Sequence, residues 1–178
     1  MIAAAERLLA LIEDGFLLVS CMCILAIVVI TTGDVTARTL FNAPFAWSHD
    51  LITQYLLIAM FFLALPYVTR TGGHMALDFL ARRVGDPMAR TLLVLVGEIL
   101  ALLFIAGFVD GAWETTLDAY QGGDVLTGDL ALPTWPSRLL GTLGAAVLAL
   151  RLAVRIAQAL AALARRDVPA YLSQDGHR

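Results

Sequence analysis

Four long apolar runs divide this chain, at residues 15–33, 51–68, 91–109 and 139–164. The first two carry no charge, the third is broken by Glu98, and the fourth by Arg151 and Arg155. A helix needs about 20 apolar residues to cross the hydrocarbon core of a bilayer. The pattern therefore predicts an all-α integral membrane protein with four transmembrane helices.

The polar stretches between the runs carry the boundary signals. In residues 1–14, Ile2, Ala5, Leu8, Leu9 and Ile12 recur at helical spacing, which suits either an interfacial helix or an extension of the first crossing. This start lacks the clustered positive charge of a secretory signal, so the first run is read as retained. Asp34 and Arg38, spaced i and i+4, are expected to pair where the first helix leaves the lipid. The turn that follows, residues 38–50, sets charge, a proline and Trp47 within thirteen positions. Ser48 is placed to cap the second helix, and Asp50 falls in its first turn, where the helix dipole favours an anion. Pro66 is expected to kink or end that helix. Residues 69–90 read as a polar connection holding His74 and Asp78. Within it Met75, Leu77, Phe79, Leu80 and Val84 suit a short amphipathic helix at the interface. Asp86-Pro87 is a start signal for the third helix. Asp110, Glu114 and Asp118 continue the third helix as an acidic stripe until Gly122-Gly123 ends it. Residues 124–136 read as a loop, and 165–178 as a polar tail with no fixed structure.

Composition agrees with lipid as the solvent. Of 178 residues 60% are apolar, and the mean hydropathy is +0.81. A net charge of −3 gives no reason to expect nucleic acid as a partner. Cys21 and Cys23 lie two positions apart on one helix, where a disulfide would strain the backbone, and read as small apolar residues. His49 and His74 fall on opposite sides of the membrane, outside the runs, so they cannot hold a haem between them. No nucleophilic constellation or glycine-rich phosphate loop is present, and the chain reads as no enzyme, with no cofactor and no metal.

Four crossings place both termini on one side. Arg70, Arg82, Arg83, Arg90, Arg165, Arg166 and Arg178 share that side, so the arginine excess puts both termini in the cytoplasm. Trp47, Trp113 and Trp135 then form an aromatic belt at the outer face. Counted at 1.5 Å per residue, Glu98 and Arg151 reach similar depths from opposite directions. An unpaired charge there is costly, so Glu98 and Arg151 are expected to pair between the third and fourth helices, with Arg155 snorkelling to the inner edge.

Three stretches carry a resemblance. They are Arg38 through Phe41-Asn42-Ala43-Pro44 to Trp47 and Asp50; Gly73-His74 with Asp78; and Leu132-Pro133-Thr134-Trp135-Pro136. With this spacing against four crossings, the chain resembles the small, DctQ-type membrane subunit of tripartite ATP-independent periplasmic (TRAP) transporters. The family usually has glutamate near Asp50, and small residues are common where Pro66 stands. The resemblance implies a multi-pass protein of a bacterial or archaeal inner membrane, with a large DctM-type permease subunit as partner. That subunit would bind substrate and sodium and move in an elevator-like way, while a periplasmic binding protein delivers an organic acid. The small subunit would scaffold the large one and help form the docking surface. On that reading Arg38, Trp47, Asp50, His74, Asp78 and Trp135 are candidate partner contacts, and Asp110, Glu114 and Asp118 candidate docking residues. Membrane lipid is a further partner. The alternatives are a self-sufficient four-helix homo-oligomeric transporter using Glu98, and an anchor subunit of another membrane complex.

Overall fold

The computed structural model describes residues 2–71, 87–126 and 131–165. Four helices account for nearly all of them. These are α1 (Ile2–Phe41), α2 (Ser48–Arg70), α3 (Pro87–Gly122) and α4 (Trp135–Arg165). All four are long and apolar enough to cross a membrane. The helices outrun the apolar runs because charged residues do not stop a helix; they only move its ends out of lipid. Thus α1 absorbs the whole amphipathic start of the chain, which is an extension of the first crossing rather than a separate interfacial helix.

The helices lie side by side in one layer, in the order α1, α2, α4, α3. α4 packs along both α2 and α3, α2 also packs on α1, and α1 touches α4 only lightly. Ser20 of α1 donates to the Met60 carbonyl of α2 at 2.7 Å, and Thr116 of α3 meets Thr142 of α4 at 3.3 Å. Small hydroxyls of this kind hold helices together where lipid offers no hydrophobic drive to associate.

The tightest contact is between α2 and α4. Pro66 neither ends nor interrupts α2, which runs on to Arg70. Proline has no N–H, so the Phe62 carbonyl loses the donor a helix would normally supply four residues later. Gly144 of α4 sits against this same carbonyl, so closely that a Cβ there would lie 2.4 Å from the Phe62 oxygen. Proline and glycine thus work as a pair across the interface.

Capping differs in detail from the sequence expectation. Ser48 is the first residue of α2 rather than its N-cap; its hydroxyl donates to the Phe45 carbonyl at 2.7 Å and closes the preceding turn. One widened, π-helical turn follows at Ile52–Leu56. At the far end of α3, Gly123 adopts φ +63°, and the Asp124 N–H returns to the Ala119 carbonyl at 3.1 Å. This is the six-to-one bond of a glycine-terminated helix. Val125 and Pro133 then pair as an antiparallel bridge, and α4 begins at Trp135 with Pro136 in its first turn. The expected 75–84 amphipathic helix, the Asp86 cap and the 166–178 tail lie outside the described residues.

Candidate functional site

Charged side chains gather near the end of the layer that carries the chain termini. Glu13 of α1 is fully buried, and Arg151 of α4 and Glu98 of α3 are each 4% exposed. Arg151 grips Glu13 with two parallel bonds, Nε to Oε1 and Nη2 to Oε2, both 2.5 Å. This fork-on-fork geometry is the strongest form of the arginine–carboxylate contact. Arg70 of α2 approaches the same carboxylate at 3.4 Å, pairs with Asp14, and donates to the Ala10 carbonyl at 3.0 Å. Its guanidinium also lies 4.7 Å from the Tyr67 ring centroid. Arg155, one turn beyond Arg151, bonds Glu98 at 2.6 Å and the Thr69 carbonyl of α2 at 2.8 Å. Gln158 reaches Glu6. All four helices therefore enter one polar network, in which three arginines face three carboxylates within the layer.

The expected Glu98–Arg151 pair is corrected here: the partners are Glu98–Arg155 and Glu13–Arg151. Depth counting ordered the residues along the membrane normal, but it took the helix ends from the apolar runs. α3 and α4 both extend past those runs, so the runs do not mark where the helices enter lipid, and Glu98 meets the arginine one turn further along α4. Counting along the normal also says nothing about which neighbour a side chain faces. α4 lies between α2 and α3 and reaches α1 near this end, so Arg151 and Arg155 diverge to opposite edges. Arg155 accordingly does not snorkel. Glu13 lies just outside the uncharged run at 15–33, so hydropathy alone gives no sign of its burial. The available signal was a second carboxylate at the depth of a second intramembrane arginine.

At the opposite end a different set of contacts forms. Arg38 pairs with Asp34 at 3.0 Å, as the i, i+4 spacing predicts. The other Asp34 oxygen accepts the Phe45 N–H at 2.7 Å and draws the turn back over the end of α1. Phe45 stacks on Trp47, centroids 5.7 Å apart, and Trp47 and Asp50 are half-buried. The Tyr55 hydroxyl, on the widened turn of α2, donates to the Pro133 carbonyl and so ties the two connections at this end together. Trp135 meets Tyr120 edge-on at 5.6 Å. Asp110, Glu114 and Asp118 are exposed and make no ion pair among the described residues. Arg38 is exposed as well. His74 and Asp78 lie outside the described residues, so of the candidate partner contacts only Arg38, Trp47, Asp50 and Trp135 can be placed, all at this end.

No group of three or more His, Cys, Asp or Glu side chains suited to a metal ion occurs among the described residues. The two ends thus differ in kind. One is a neutralised ionic clasp inside the layer, and the other a surface of aromatic and acidic side chains around two tied connections.

A protein-family model described as tripartite ATP-independent periplasmic transporters, DctQ component, matches residues 27–162. No curated protein and no solved structure matches the chain. The family match covers all of α2 and α3, most of α4 and residues 27–41 of α1, so it includes the aromatic end entirely. Of the ionic clasp it includes Arg70, Glu98, Arg151, Arg155 and Gln158, while Glu13 falls before it.

Proposed function

This chain belongs to the DctQ component family of tripartite ATP-independent periplasmic transporters, and from that membership we propose that it is the small permease subunit that scaffolds a large DctM-type subunit in organic acid uptake. The observation that carries the scaffold reading is the single-layer arrangement. A layer one helix thick encloses no central path, and its buried carboxylates, Glu13 and Glu98, are each bonded to an arginine. Its faces remain broadly apolar, with Leu18, Met22 and Leu25 of α1 and Leu103 and Phe104 of α3 all exposed. Such faces suit a large membrane partner on one side and lipid on the other.

The arginine distribution supports cytoplasmic termini, in an inner membrane of bacterial or archaeal type. The aromatic end would then face the periplasm, and Asp110, Glu114 and Asp118 would stand where a binding protein docks. Trp47, Asp50 and Trp135 are proposed as contacts of the large subunit at that end. Residues 1–178 are taken as one membrane domain.

A pull-down of the full chain from native membranes in mild detergent tests the reading. A stoichiometric polytopic partner is the expected result. A pure homo-oligomer that transports alone in liposomes would overturn it and return attention to Glu98. A second measurement concerns docking: reversing Asp110, Glu114 and Asp118 to lysine is expected to slow uptake, with the defect shrinking as ionic strength rises. Uptake unchanged at both low and high salt would remove these residues from the docking surface.

A further inference from the structure

Away from the clasp, a crevice of about 530 Å³ opens where α2, α3 and α4 meet toward the aromatic end. Its wall is built from Phe62 of α2, Gly107, Phe108 and Gly111 of α3, and Gly141 of α4. Phe62 and Phe108 stack with ring centroids 5.4 Å apart. A Cβ added at Gly107 or at Gly111 would meet nothing within 4 Å, so both glycines border open space rather than a close backbone contact. From Gly107 to Thr115 the wall follows eight residues of α3, about 12 Å along the helix axis. The crevice is thus elongated in the direction a lipid chain takes in a bilayer.

Arg138 stands at its outer end. The side chain is exposed, donates to the Thr115 carbonyl at 3.0 Å, and faces no carboxylate in an ion pair among the described residues. It lies three residues into α4, close to Trp135, at the level where a crossing helix meets the headgroups. An apolar slot parallel to the membrane normal, capped by a cation at headgroup level, matches one occupant chemically. We propose that this crevice binds one phospholipid, with an acyl chain lying between Phe62 and the glycines of α3 and its phosphate on Arg138. The volume falls in the range of ordinary small-molecule sites. The proposal is independent of the scaffold reading, since it concerns contacts within this chain alone.

Native mass spectrometry of the full chain, purified with whatever subunit accompanies it, reads the site directly, using dioleoyl phosphatidylglycerol and the headgroup-free dioleoylglycerol as probes. The wild-type chain is expected to retain one phosphatidylglycerol through delipidation and to prefer it over dioleoylglycerol. Gly111→Leu fills the slot and should abolish retention, while Gly15→Leu, an equally uncrowded glycine on α1, should keep it. Arg138→Gln should weaken phosphatidylglycerol by about tenfold, the size of one charge-assisted hydrogen bond, and erase the preference over dioleoylglycerol. Equal retention by wild type and Gly111→Leu would overturn the proposal. So would cross-linking from Gly111→Cys to another polypeptide, which would assign the slot to a subunit side chain. Thermal unfolding of Gly107→Ala beside Gly111→Leu separates loss of lipid from loss of fold: both should melt like wild type once delipidated.

Discussion

Glu13 is the residue on which the ionic clasp turns, because two arginines from two other helices converge on its carboxylate. Removing one member of a buried pair leaves the other charge uncompensated, which costs about 3–5 kcal/mol. Glu13→Gln is therefore expected to lower the melting temperature and yield of the protein more than any single surface charge does. The double variant Glu13→Leu, Arg151→Met should recover much of that loss, since it removes both charges and keeps the volume. Glu98→Gln should also reduce assembly by stranding Arg155; full yield with lost ion coupling would instead make Glu98 a relay group. The sequence revealed that Glu98 and Arg151 had to be neutralised, because a charge in a long apolar run has no water to fall back on. It did not reveal the pairing, which depends on the lateral order of the helices. By contrast the Asp34–Arg38 pair lies on one helix, so spacing alone determined it.

Among the elements, the number and approximate positions of the helices were legible, since each apolar run is too long for anything but a crossing. Their ends were less so, because α1 and α4 continue through polar residues that water or the clasp can satisfy. The α2–α4 seam depends on Gly144, for which any side chain would drive a carbon into the Phe62 carbonyl. Gly144→Val is expected to abolish the stable fold, measured as loss of a monodisperse peak in detergent. Gly15→Ala, in open space, should be neutral or raise stability by roughly 1 kcal/mol from helix propensity. Pro66 shows why this seam was unreadable beforehand. Taken alone it signals a break; in the fold it deprives the Phe62 carbonyl of its helical donor where Gly144 packs against it.

For the whole molecule, the single layer places α1 and α3 at the two edges and makes α4 the member that joins the rest. α4 is also the last to be made. Glu13 waits across 138 residues for Arg151, on the order of 10 s at ordinary rates of synthesis. Arg70, which arrives with the second helix and lies 3.4 Å from the same carboxylate, can shield it meanwhile. A chain stopped after Gly122 should then persist in the membrane with Arg70 intact, and Arg70→Gln should shorten its pulse-chase lifetime while the full-length chain is affected less. The shared carboxylate thus has a cation within reach as soon as the second helix is made, before Arg151 has been synthesised.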